Sequence, residues 1–298
     1  MERRKFGALA PGVSAVGISL AGLVRREVLG PDAPLAVGLL RRARELGFTV
    51  FDADAGVRTA TAERWISAAL EPDDDEAVVF STLSGDRPGA PEGGVSDAVR
   101  AARRRLAGRR VDVLFVPAPL GMDPVVRESI TSLVQSGELG GWGVRLTEGM
   151  AALGEARDLL HVGVRSFKLP YNLINREPAE TILALGHSLG SHFVVTDPHG
   201  RGLLDGTALR SGVTDPTQPP PSVRELAGQY APVLSLARLT AHGSRTLPQA
   251  AVQFALLAPG VSTVLVAPDG VEQLNALADL ERLPSLEMTT RSTESNSS

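Results

Sequence analysis

Asp52 closes the apolar run Phe48–Asp52, so a buried strand would carry its carboxylate to a strand end. Lys168 is one of only two lysines, with Lys5, in a chain otherwise rich in arginine. A desolvated lysine can serve as base, nucleophile or anion anchor. Arg145 follows the run Trp142–Val144, and its planar fork suits a carboxylate or phosphate. Thr196, Asp197 and His199 stand together in TDPHGRG, where an acid and an imidazole on one loop suit proton transfer. The candidate catalytic residues are therefore Asp52, Lys168 and His199. Arg145, Thr196 and Asp197 are the candidate substrate-binding residues. An ion pair between Asp52 and Lys168 would join groups 116 positions apart.

The other polar residues read as structural. Glu63 and Arg64 form a surface pair, and Asp73–Asp75 a solvated turn. His161 and His187 fall in or beside outer helices, and His192 opens a strand at the end away from the candidate site. Trp65 packs a helix, and Tyr171 orders a loop. No histidine pair at i, i+4 and no His/Asp cluster has metal-ligand spacing, so no metal is expected.

Eight elements would have to position these groups. Apolar runs at Val13–Ile18, Phe48–Asp52, Ala77–Thr82, Val111–Val116, Trp142–Val144, Val162–Leu169, His192–Thr196 and Thr263–Val266 look like buried parallel strands. Helical spacing fills the gaps. Pro34 to Leu46 stops before Gly47, and Ser96 caps a helix reaching Leu106. Asp123-Pro124 supplies an N-cap and first-turn proline, Pro178 and Gly190 bracket another helix, and Pro248 opens a further one. Strand–helix alternation of this length predicts an α/β fold, a closed (β/α)8 TIM barrel, over an open doubly wound sheet. No G-x-G-x-x-G follows an early strand. One domain over residues 1–288 is expected, with a proline-rich loop at Ser211–Ser222 and a disordered tail over 289–298.

The chain has 298 residues, 43% of them hydrophobic, enough for a large core. A net charge of −4 leaves no electrostatic footprint for nucleic acid. With no cysteine, disulfides and thiolate metal sites are excluded. The apolar N-terminal stretch, broken by Pro11 and glycines and followed by Arg25 and Arg26, is too short for a membrane span and lacks a cleavage site. A soluble cytoplasmic protein with a small-molecule substrate is expected, without membrane or nucleic-acid partners.

Several segments, in order, resemble the aldo-keto reductase family. They are VSAVGISLAG, GFTVFDADAG with AERW, VDVLFVPAP followed by LVQSGELGGWGV, LPYNLINREPAETILALGHSLG, VVTDPHGRGLLDG, and LPQAAVQFALLAPGVSTVLVAPDGVEQLNAL. The resemblance covers nearly the whole chain and implies that family's barrel. It also implies a tetrad of Asp, Tyr, Lys and His, in which Tyr protonates the carbonyl oxygen during hydride transfer. Asp52 matches the Asp. Val57, Leu83 and Pro117 fall at the Tyr, Lys and His positions, and no Tyr, Lys or His occurs between Val57 and Gly121.

The implied cofactor positions differ as well. Arg145 and Leu146 replace the pair that holds the nicotinamide amide, Lys168 replaces a glutamine, and Thr196 replaces the aromatic that stacks on the ring. Asp269 stands near the position of a basic residue for the 2′-phosphate of NADP. A carboxylate there would repel phosphate by ~1–4 kcal/mol for partly solvated charges about 4 Å apart. Glu272 and Gln273 keep the outline of the adenine-side loop.

These losses lead to the expectation of a non-redox enzyme of isomerase, lyase or cyclase type. It would act on a polar small molecule in bacterial secondary metabolism, with no cofactor favoured. Asp52 or His199 would be the base and Lys168 or Arg145 the oxyanion stabiliser. One alternative is an oxidoreductase using NADPH or NADH with a rearranged acid. The other is a non-catalytic binding or regulatory scaffold.

Overall fold

In the computed structural model, residues 1–7, 9–26, 34–83, 94–206, 236 and 245–286 are described. Among the described residues ten strands are present: β1 (Arg3–Phe6), β2 (Leu9–Ser14), β3 (Val16–Ser19), β4 (Val50–Asp52), β5 (Val78–Thr82), β6 (Val113–Pro117), β7 (Trp142–Arg145), β8 (Ser166–Pro170), β9 (His192–Thr196) and β10 (Val261–Val266). The last eight close into a parallel barrel in the order β10-β3-β4-β5-β6-β7-β8-β9. The described helices are α1 (Ala21–Arg26), α2 (Pro34–Glu45), α3 (Thr59–Ala69), α4 (Gly94–Arg105), α5 (Ala118–Met122), α6 (Pro124–Gln135), α7 (Ala151–His161), α8 (Ala179–Ser188), α9 (Leu247–Leu257) and α10 (Val271–Ala278). The eight-stranded (β/α)8 barrel expected from the alternation is the observed fold.

Two apolar runs divide where the sequence suggested continuity. Val13–Ile18 splits at Ala15 into the end of β2 and the start of β3. Strands β1 and β2 form an antiparallel hairpin that composition alone did not disclose. Gly12 is required there: its φ is +99°, and a Cβ would lie 2.6 Å from the Arg4 carbonyl oxygen. Val162–Leu169 splits because Val162 caps α7 and Gly163 turns the chain at φ +93°, so β8 starts only at Ser166.

Helix starts follow local chemistry. The Asp123 carboxylate accepts from the Val125 N–H with Pro124 in the first turn. Thr246 and Gln249 form a reciprocal capping box at α9, whose N-cap thus precedes Pro248. Ser96 is not a cap, since α4 already begins at Gly94. The proline-rich loop and the tail expected at 211–222 and 289–298 lie outside the described residues.

Two apolar layers result. Outside the strands, residues such as Trp65, Ile66, Leu159 and Ile182 seat helices on the barrel wall. Inside lies a second cluster of Phe6, Val13, Val50, Val78, Phe80, Val113, Phe115, Val194 and Leu265. Phe6, from the hairpin, packs at a tilt against Phe80 at 5.5 Å, and Phe80 meets Phe115 edge-on at 5.6 Å. The hairpin thus plugs the end where the strands begin. Gly143 makes room for this packing, because a Cβ there would come within 2.7 Å of the Phe115 ring. The filled interior leaves the opposite end, where the strands finish, to carry the polar groups.

Candidate active site

Strands β4 and β8 lie on opposite sides of the barrel, four places apart in the closed order. Asp52 is the last residue of β4, in register with Ser19 and Phe80. Lys168 lies in β8, in register with Arg145 and Val194. Its side chain crosses the mouth above the Phe115 ring, with Nζ 5.5 Å from the ring centroid. There the ammonium donates to both Asp52 oxygens at 2.9 Å, to Asp54 Oδ2 at 3.0 Å and toward Thr82 Oγ1 at 3.4 Å. Both Asp52 and Lys168 are almost wholly buried, at 1% and 2% exposure.

Asp54 is the group that sequence reasoning passed over. In an extended chain, residues two apart point to one side, so the alternation in Phe51-Asp52-Ala53-Asp54 held the signal. Arg145 follows Asp54 outward: its Nη1 lies 3.7 Å from Asp54 Oδ2, and its side chain is 37% exposed. Four alternating charges therefore run from the barrel interior to the surface, in the order Asp52, Lys168, Asp54, Arg145.

Their protonation is uneven. Burial pushes the Asp52 carboxyl up to about 6, and the charge of Lys168 offsets only part of that penalty. Burial acts in the same direction on Asp54, but the charges of Lys168 and Arg145 outweigh it and hold that carboxyl down at about 2. Lys168 is disfavoured by burial, yet its two carboxylates raise its pKa above the ordinary lysine value. Lys168 therefore stays charged and Asp54 stays ionised, while Asp52 changes state just below neutrality.

The remaining expected residues sit apart from this ladder. Asp197 and His199 do not pair. The His199 Nδ1 lies 3.1 Å from Asp205 Oδ2, while the Asp197 carboxylate accepts from the Arg201 backbone N–H at 2.6 Å. A left-handed Asp197, at φ +51°, turns the loop so that Asp205, six positions beyond His199, meets the imidazole. Burial raises the Asp197 carboxyl, partly offset by that N–H. The Nε2 of His199 is buried without a hydrogen bond among the described residues. Thr196 ends β9, where its carbonyl accepts from the Tyr171 N–H. No hydrogen bond or ion pair joins Thr196, Asp197 or His199 to Lys168 or Asp52.

Tyr171 orders its loop through its hydroxyl, which donates to Glu180 Oε1 at 3.0 Å. Burial pushes that hydroxyl well above the ordinary tyrosine value. Glu63 is no surface residue: it is 1% exposed and accepts from Ser81 Oγ at 2.8 Å and Arg105 Nε at 2.5 Å. Helical spacing alone did not reveal that α4 would cover that face. Asp74 likewise leaves the solvated turn to take a two-pronged contact from Arg44, at 2.6 and 3.0 Å. Val57, at the expected tyrosine position, stands in a short 3-10 turn, Gly56–Arg58. Among the described residues no helix is long and apolar enough to cross a membrane, and no group of three or more His, Asp or Glu could hold a metal.

Residues 25–290 match the aldo/keto reductase family. An uncharacterized oxidoreductase of Mycobacterium tuberculosis is 28% identical over 253 residues, covering 82% of this chain and 76% of its own. The glycerol dehydrogenase of Gluconobacter oxydans superposes with a TM-score of 0.74 at 18% identity, covering 93% of this chain and 89% of that one. An aldo-keto reductase from Klebsiella pneumoniae in complex with NADPH gives 0.66 at 18% identity, covering 95% and 91%. The two superpositions speak for the fold.

The family match and the name of that relative point to an enzyme of the oxidoreductase class. They overturn the expected isomerase, lyase or cyclase, and with it the preference for no cofactor. The physical reason is visible in the mouth. The missing Tyr, Lys and His suggested that reductase chemistry was lost, whereas the suggested Asp52–Lys168 ion pair does form, with the lysine supplied by β8.

Proposed function

The chain belongs to the aldo/keto reductase family, and from that premise we propose that it interconverts a carbonyl compound and its alcohol using a nicotinamide cofactor. The observation that carries this reading is the Lys168 ammonium, 2.9 Å from both oxygens of Asp52 in a buried mouth. A positive charge held in a low-dielectric site stabilises the negative charge that builds on a carbonyl oxygen during reduction.

The hydrogen-bonding groups at the loops are the test of whether a nicotinamide suits this mouth. With Nδ1–H donating to Asp205, the buried Nε2 of His199 is an unused acceptor, suited to a carboxamide N–H. Thr196 offers a hydroxyl at a strand end, and the Asp269 carboxylate suits ribose hydroxyls while repelling a 2′-phosphate. The set fits a nicotinamide cofactor with a free 2′-hydroxyl, held by His199, Thr196 and Asp269.

When bound, the reduced cofactor supplies a hydride to the carbonyl carbon. The π-electron pair moves to oxygen, which takes a proton from Lys168. Three ammonium hydrogens already face four acceptor atoms, so the carbonyl oxygen enters by displacing the more exposed carboxylate, Asp54. Lys168 regains its proton from Asp52, whose carboxyl titrates at about 6 and lies in direct contact. No tyrosine is needed in this scheme.

Calorimetric titration with NADH and NADPH, followed by aldehyde-dependent cofactor oxidation, tests it. The expected result is micromolar binding with NADH preferred. Binding of neither cofactor would sink the reading.

A further inference from the structure

Arg145 is the outermost member of the charge ladder, and among the described residues its guanidinium makes no hydrogen bond. Its one ion-pair partner among them, Asp54, is 3.7 Å away, beyond hydrogen-bond length. The Asp54 oxygen concerned is already bonded to Lys168 at 3.0 Å. Pro117, beside Arg145 in β6, brings no polar side chain to compete. The acids that follow are committed elsewhere: Glu148, in the next loop, to Arg201 at 2.5 Å, and Glu155, in α7, to the Thr147 N–H at 3.0 Å. Arginines that serve structure here look different. Arg44 grips Asp74 with two N–H groups, and Arg109 spends both terminal nitrogens on backbone carbonyls. Arg145 thus presents a half-exposed fork of unused donors at the rim of the mouth that holds Lys168.

We propose that Arg145 anchors a carboxylate of the substrate, so that the enzyme acts on carbonyl compounds bearing a carboxylate group. The carboxylate takes the free edge of the guanidinium with two parallel N–H···O bonds. Asp54 lies on the inner side of the guanidinium, 3.7 Å from Nη1, so the incoming carboxylate takes the N–H groups that Asp54 leaves unbonded. The carbonyl end of the same molecule then reaches inward toward Lys168. The chemistry of this step rests on the oxidoreductase reading, whereas the anion site does not.

Two measurements separate these. Benzoate and phenyl phosphate are titrated by calorimetry into the full chain and into Arg145→Gln. Benzoate is expected to bind more tightly than phenyl phosphate, and the substitution to weaken it about ten- to hundred-fold. Arg145→Lys keeps the charge but not the fork, and should fall between the two. Absent benzoate binding, a preference for phenyl phosphate, or benzoate affinity unchanged in Arg145→Gln overturns the proposal. The second measurement compares reduction of 4-carboxybenzaldehyde with that of its methyl ester. The acid is expected to be preferred, with the acid-over-ester ratio of kcat/KM falling about tenfold or more in Arg145→Gln. Equal losses on both substrates overturn the substrate class. Failure to reduce either aldehyde, with Arg145-dependent benzoate binding intact, counts against the oxidoreductase reading and leaves Arg145 as an anion anchor.

Discussion

Two buried carboxylates sit on opposite sides of the same barrel wall. Glu63 lies outside it, between α3 and α4, with one arginine and one serine for its two oxygens. Asp52 lies at the mouth, sharing one ammonium with a second carboxylate. The outer group is closed: each oxygen has its donor, and the pair ties α3 to α4 and β5. The mouth group is frustrated: four acceptor atoms compete for three hydrogens, and a half-exposed arginine waits beside it. Burial of charge alone therefore does not mark a site. An excess of partners that a ligand can relieve, at the end where the strands finish, does.

Lys168→Met should break the comparison most severely. Aldehyde reduction is expected to fall by about 10²–10⁴, and Asp52 and Asp54 would face each other without a cation. A variant that kept full turnover would remove Lys168 from the chemistry. Glu63→Leu should act on the other side of the wall. Arg105 loses its buried partner, and urea titration should show about 3–5 kcal/mol of lost stability, with KM unaltered in the fraction that remains folded. Lost affinity at unchanged stability would erase the distinction between the two carboxylates.

The finest test is pH. Asp52 is protonated below about 6 and ionised above it, so the form able to recharge Lys168 declines as pH rises through that window. Reduction should fall correspondingly in the parent protein. Asp52→Asn should lower the rate about tenfold and flatten the profile there. An inflection that survives in Asp52→Asn would assign the titration to another group.

The barrel was legible because its signals are local. Branched apolar runs, helical spacing and stop glycines each act within a few residues, and eight repeats leave little else to build. The N-terminal hairpin escaped because Val13–Ile18 stays apolar through the bend at Ala15. Asp52 and Lys168 were visible as a strand-end acid and a lone lysine, yet neither spacing nor composition could join residues 116 apart. The pairing of His199 with Asp205, instead of with Asp197, accompanies the left-handed backbone at Asp197, which no local pattern announces.

Sequence by itself determined that this chain folds as an α/β barrel. It also marked Asp52, Arg145 and Lys168 as polar groups near strand ends, but not Asp54. Tertiary structure alone decided that these four meet in one mouth. Barrel closure sets β4 opposite β8, and a lysine is long enough to span the mouth over Phe115. With only 2% of it exposed, its contact with Asp52 is obligatory, because an unpaired charge at that depth would be prohibitively costly.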